Sequence, residues 1–141
     1  MQYKNINKME KEFIPYEQAL ELKELGFNEP CIATRFSVGA WQIDSIEGEL
    51  NFKNSEPGEY SILSPTFSQA FRWFREKYGL HIVIENMIRH NNDIFYFLIK
   101  NMKNHICINN SIQINGFDYK TPEEAELECL KKLIEIVKEE Q

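Results

Sequence analysis

Pro65-Thr66-Phe67-Ser68-Gln69-Ala70-Phe71-Arg72-Trp73-Phe74-Arg75-Glu76-Lys77-Tyr78-Gly79, followed by Leu80-His81-Ile82-Val83-Ile84, holds the change of period on which the fold turns. Up to Tyr78 the apolar residues Phe67, Ala70, Phe71, Phe74 and Tyr78 recur at the i, i+3, i+4, i+7, i+11 spacing that lines one face of an α-helix. Thr66 and Gln69 have the spacing of a capping box, in which each side chain satisfies a backbone N–H that the helix start leaves unpaired. Gly79 supplies the stop, because glycine takes the left-handed closing conformation without a Cβ clash. Beyond it Leu80, Ile82 and Ile84 recur at the period of a strand with one face inward.

Two more helices flank this junction. The first is predicted over 15–25: Pro15 suits a helix start, Gly26 suits a left-handed cap, and Tyr16, Ala19, Leu20, Leu22 and Leu25 form its buried side. The other opens at Thr121-Pro122, repeats the capping box through Glu124, and runs through Leu127, Leu130, Leu133, Ile134 and Val137 toward the end. Its apolar arc is wide, which makes it central, and Glu123 and Glu126 mark where that core ends.

The strands lie between. Ile32, Phe36 and Val38 alternate with Ala33, Arg35 and Ser37, and a turn at Gly39-Ala40 leads into Trp41 and Ile43, which reads as a hairpin. A strand from Leu80 to Ile84 turns over at 89–92 and returns as 94–99, apolar enough for both faces to be covered. Pieces at 106–108 and 112–114 surround Asn109, Asn110 and Ser111, turn formers that predict a third hairpin. Residues 51–64, with Pro57 and Gly58, read as a surface loop. The expected architecture is α+β: a single domain over 1–141 with a flexible segment at 1–11, and three helices packed on a mainly antiparallel sheet of four to six short strands.

Composition agrees with an ordinary folded core. Apolar residues make up 43% of the 141 and charged residues 27%, so the chain is not of the highly charged, apolar-poor disordered kind. The polar N-terminus lacks the apolar stretch of a signal peptide, and no run approaches the ~18 residues of a membrane span, so the expectation is no membrane partner and a cytoplasmic location. Cys31, Cys107 and Cys129 are far apart and lack a CxxC pair, which fits reduced thiols. The net charge of -6 argues against a surface that grips phosphate everywhere, and leaves room for a local basic patch.

No motif for catalysis stands out. His81, His90 and His105 are dispersed, without the i, i+4 spacing that aims two ligands at one metal, so no metal and no cofactor are expected. The glycine signatures that expose a nucleophilic serine or cradle a phosphate are absent from the sequence. Glu123 and Glu126 read as first-turn glutamates favoured by the helix dipole. Cys107 with His105 or His81 forms a nucleophile and base only if the fold brings them together.

The surface that invites a partner is the outside of the helix at 66–78. Arg72 and Arg75 share its exposed arc, Trp73 stands at the border of the buried stripe, and Lys77 follows. Arginine and tryptophan concentrate in interface hot spots, and arginine also grips phosphate. Arg35 and Trp41 of the first hairpin complete the candidate set. The plainer alternative has Trp73 and Trp41 closing the core and Arg72 pairing with Glu76.

The stretches Phe13-Ile14-Pro15-Tyr16-Glu17-Gln18-Ala19-Leu20, Lys23-Glu24-Leu25-Gly26-Phe27, Glu29-Pro30-Cys31 and Pro65 through Arg75, and the ending from Glu123 to Val137, resemble small uncharacterised proteins encoded by phages and prophages of Bacteroidetes-type bacteria. The resemblance covers the helices and little of the strands, and brings no catalytic residues to transfer. It implies an accessory protein that works in the cytoplasm of a bacterial host by binding a host protein or ribonucleoprotein, such as an inhibitor of a CRISPR effector nuclease. A small RNA- or DNA-binding module and an enzyme with a Cys and His site are the alternatives.

Overall fold

A computed structural model describes residues 8–43, 61–112 and 118–141. Among the described residues three helices of nine or more residues, α1 (Tyr16–Glu24), α2 (Phe67–Tyr78) and α3 (Pro122–Glu140), accompany six strands, β1 (Ala33–Phe36), β2 (Trp41–Ile43), β3 (Ser61–Ser64), β4 (Leu80–Arg89), β5 (Asn92–Asn101) and β6 (Cys107–Asn110). The α+β class read from the sequence is what forms. All pairing among these strands is antiparallel, and the strands fall in two sheets of three, β2-β1-β3 and β4-β5-β6, where one sheet was expected. The chain divides into two compact units, Met1–Gln69 and Ala70–Gln141, with α2 starting in the first and continuing into the second.

In the first unit, α1 ends in a Schellman motif. Gly26, at φ +95°, lets its own N–H reach the Lys23 carbonyl while the Phe27 N–H reaches that of Leu22. Phe27 and Leu22 are both buried, the apolar pair this motif brings together. Pro15 takes the cap position instead of the first helical one, and Leu20 is 39% exposed while Gln18 is buried, so the inward side is Gln18, Ala19, Leu22 and Leu25. The expected loop over 51–64 is corrected at its end: Ser61–Ser64 pairs with β1, and Ile62, Leu63 and Ser64 are buried. Those residues carry a strand signal too short to stand out beside Pro57 and Gly58, and 51–60 lie outside the described residues. Backbone bonds from Ile14 to Pro65 and from Phe67 to Glu12 tie the segment before α1 to the start of α2.

In the second unit, β4 and β5 form a hairpin of two ten-residue strands closed by His90 and Asn91, whose φ angles of 50° and 62° are those of a type I′ turn. Ile82 and Ile84 pair with Ile99 and Phe97, placing these apolar residues on one face, with Phe97 and Ile99 buried. The helix α3 packs against β4 and β5 and buries Ala125, Cys129, Leu130, Leu133, Ile134 and Val137. Each of the larger of these is worth roughly 1.5–3 kcal/mol when removed from water.

The third hairpin differs from expectation. Its turn lies at 102–106, where the Asn101 and Asn104 side chains accept the backbone N–H groups of Lys103 and Ile106, and β6 returns along β5. Asn109 is buried opposite Ile99 within the sheet. Asn110 accepts the Ile112 N–H, so a turn does begin at 111–112, but the expected strand 112–114 runs into 113–117, outside the described residues.

Candidate partner-binding surface

The six sequence-chosen candidates separate into two groups. Arg35 and Trp41 face each other across the β1–β2 ladder, so their side chains lie on one face of the first sheet. Residues 10–14 lie against that face. The Arg35 guanidinium, 11% exposed, donates from Nε to the Ile14 carbonyl at 2.7 Å, from Nη1 to Glu10 Oε1 at 2.8 Å, and from Nη2 to the carbonyls of Glu10 and Phe13 at 3.2 Å each. Trp41, half-buried, has its ring centroid 6.0 Å from that of Phe13.

Arg35 is therefore a clamp on residues 10–14 rather than a group offered to a partner. Burial along β1 does not alternate: Ala33 and Thr34 are both buried, Arg35 and Phe36 are half-buried, and Val38, in the turn beyond the strand, is 87% exposed. Of the segment 1–11 expected to be flexible, 1–7 lie outside the described residues, residues 8–10 form a helical turn, and Glu10 is held by Arg35.

The other four candidates all lie on α2, with Arg72 and Arg75 on one arc and Trp73 and Lys77, four residues apart, on another. Arg72 and Arg75 are exposed at i, i+3, with Glu76 exposed beside them. Trp73 is buried at 7% exposure, its ring edge-on to Phe74 at 5.1 Å and to Tyr78 at 5.4 Å. It belongs to the core, because the buried stripe of α2 runs Phe67, Ala70, Trp73, Phe74 and leaves Phe71 half-exposed. The ring still shapes the surface, for the Lys77 ammonium lies 4.9 Å from the Trp73 centroid and 5.4 Å from that of Tyr78. A cation held over two ring faces keeps its charge at the surface while its stem is ordered.

Sequence reasoning missed what adjoins this ridge. The Met102 N–H donates to the Gly79 carbonyl at 2.8 Å, seating the 102–106 turn beside the end of α2 and bringing exposed Lys103 and His105 to the end that carries Arg75 and Lys77. His81 and Lys100 are cross-strand partners one residue beyond the junction. The only advance signal was the pair Asn101 and Asn104, whose turn chemistry places the loop.

The capping boxes form unequally. At α3 the Thr121 hydroxyl accepts the Glu124 N–H at 3.2 Å, and the Glu124 carboxylate reaches back past the cap residue to accept the N–H of Lys120 at 3.1 Å. At α2 the Thr66 hydroxyl accepts the Gln69 N–H, but the Gln69 amide turns away and donates to the Pro30 carbonyl at 2.9 Å and to Glu29 at 3.3 Å.

The thiols show no nucleophile paired with a base. Burial, with the Glu29 carboxylate nearby, pushes Cys31 up to about 12, against an opposing hydrogen bond from Gln69. Burial raises Cys129 further. Cys107 is exposed, but its Sγ donates to the Asn109 carbonyl at 3.2 Å. Lys100 pairs with both His81 and Cys107, so it stands between them and leaves them two strand spacings apart, roughly 9–10 Å. Among the described residues no three His, Cys, Asp or Glu side chains gather to hold a metal, and no helix is long and apolar enough to cross a membrane.

No protein-family model, curated protein or solved structure matches this chain.

Proposed function

We propose that the protein acts by binding a macromolecular partner through the basic end of its second unit, with Arg72, Arg75 and Lys77 on α2 and Lys103 and His105 on the adjoining turn. The observation that carries this reading is the Lys77 ammonium seated on Trp73 and Tyr78, on a helix that also exposes Arg72 and Arg75 along another arc. In a chain of net charge -6 this is a local cationic feature built on rigid aromatic support, and it suits a partner with a negative surface. Taken with the phage-type resemblance, the partner is a host protein or ribonucleoprotein, and the consequence of binding is inhibition of a defence nuclease such as a CRISPR effector.

A second reading, nucleic acid bound directly, draws on the same cations, because arginine and lysine contribute phosphate contacts. One experiment separates the two: capture on the tagged full chain from a bacterial lysate carrying active defence systems, with and without nuclease, beside the Arg72→Glu/Arg75→Glu variant. A stoichiometric protein that survives nuclease and is lost with the variant supports the first reading. Nucleic acid alone, released as salt rises, replaces it with the second. A partner retained by the variant removes α2 from the interface.

A further inference from the structure

We propose that two copies of this chain associate through the outer half of β4, pairing antiparallel about a two-fold axis at Met87. Within its sheet β4 borders β5 on one side, and among the described residues no strand borders it on the other. Its first half is buried or half-buried, whereas 85–89 are all exposed, with Ile88 at 75% and Met87 at 39%. An exposed strand edge with apolar side chains is a template for another strand, and proteins that keep such an edge unpaired protect it.

The backbone sets which groups are on offer. The tight turn at His90 and Asn91 makes Arg89 and Asn92 a hydrogen-bonded pair, and hydrogen-bonded pairs alternate along an antiparallel ladder. Residues 85, 87 and 89 therefore spend their N–H and C=O groups on β5, while Asn86 and Ile88 direct theirs to the open edge.

The side chains select the occupant and the register. A second β4 keeps both sheet faces continuous only if residues of like parity oppose, since a slip of one exchanges the faces. Centring the pair on Met87 sets Glu85 opposite the partner's Arg89, Arg89 opposite the partner's Glu85, and Asn86 opposite the partner's Ile88, joined through the N–H and C=O groups directed at the open edge. Centring it on Glu85 sets two carboxylates face to face and His81 against Arg89. Only the first register uses just the exposed half and makes each charge meet its opposite. In the single chain both side chains lean toward β5: Glu85 accepts from the Tyr96 hydroxyl, and Arg89 Nη1 meets Asp118, next to Tyr119 on the far side of β5, at 3.1 Å, and both are exposed enough to turn to the seam when it forms.

The test is sedimentation equilibrium on the full chain over a wide concentration range, with far-UV circular dichroism as the check on folding. The native chain is expected to form dimers. Glu85→Arg and Arg89→Glu, each alone, set like charges opposite across the seam at both symmetric positions and are expected to weaken the dimer about tenfold or more. An equimolar mixture of the two restores it, because in the mixed dimer every charge at positions 85 and 89 again faces its opposite across the axis. Met87→Cys in a Cys107→Ser background is expected to cross-link across the axis on mild oxidation, because a non-hydrogen-bonded pair holds its Cα atoms about 4.5 Å apart. This arm stands even where a charge variant fails to fold. A native chain that stays monomeric throughout, a dimer indifferent to the folded single variants, a mixture that does not recover, or a dimer that Met87→Cys does not cross-link each overturns the proposal.

Discussion

Arg35 and Ser64 converge on one backbone oxygen, the Ile14 carbonyl, which accepts the Arg35 Nε–H at 2.7 Å and the Ser64 hydroxyl at 2.6 Å. Both of its lone pairs are thus satisfied by side chains from neighbouring strands of the first sheet, and the segment before α1 is fixed against β1 and β3.

Arg35→Ala is expected to lower the stability of the chain by about 2–4 kcal/mol, measured as the midpoint of urea unfolding, because several charge-assisted bonds to one segment are lost at once. The lower end is favoured by the partial exposure of Glu10, which lets water take over its carboxylate. Arg35→Lys is expected to recover less than half, since one ammonium cannot span acceptors that a planar fork reaches together. If Arg35 were a partner contact, alanine would leave stability alone and remove binding.

The thiols are expected to divide sharply in a native-state labelling experiment at pH 8: Cys107 reacts with a maleimide, while Cys31 and Cys129 react only after denaturation. The same burial makes stability depend on pH at the alkaline end. Cys31 has its folded value raised from the ordinary 9.0 to about 12, so the benefit of burying the neutral thiol is fully present below pH 9 and is lost as pH rises toward 12. Cys129 acts in the same direction. A Cys31→Ala, Cys129→Ala variant should show a flatter decline across that window in chemical unfolding, although it is less stable at neutral pH because of the lost packing.

The contrast between Thr121 and Thr66 shows how much of this molecule could be read in advance. Both capping boxes have the same sequence spacing, and both hydroxyls make their bond, because that bond is local and depends only on the helix start. Gln69 departs from the pattern because a distant acceptor, the Pro30 carbonyl, competes for its amide, and nothing within a few residues announces this. The same division runs through the fold. The long period of α2, the left-handed Gly26 and Gly79 and the β4–β5 hairpin were legible, whereas the burial of both faces at the start of β1, the strand in 61–64 and the split into two sheets depend on partners remote in sequence. In the candidate surface, Arg72 and Arg75 were read from helical spacing alone. The role of Arg35 was invisible because three of its four acceptors are backbone carbonyls more than twenty residues away, which carry no sequence mark, and the fourth, the Glu10 carboxylate, is equally remote.

Thr121→Ala is expected to cost about 1 kcal/mol, the usual value of an N-cap hydroxyl, and Thr121→Asp to restore it through the same N–H with added help from the helix dipole. Thermal unfolding of the three proteins checks this. A larger loss would mean that the chain just before α3, where Tyr119 stacks on Phe97 at 6.1 Å, depends on the cap for its placement.

The β4–β5 turn carries the last prediction. His90 and Asn91 both sit at positive φ, a conformation that costs most residues about 1 kcal/mol and that Asn-Gly adopts most readily in a type I′ turn. Replacing His90→Asn and Asn91→Gly should therefore stabilise the hairpin, because the strain in the turn is relieved while the Arg89–Asn92 pairing that flanks it is unchanged. The expected gain is about 0.5–1 kcal/mol in urea unfolding, reduced by the extra freedom that glycine gives the unfolded chain. Amide hydrogen exchange locates the effect: slower exchange in β4 and β5 with little change in the first unit is the expected pattern. A variant that gained stability without added protection along β4 and β5 would show that the turn is not what limits the hairpin.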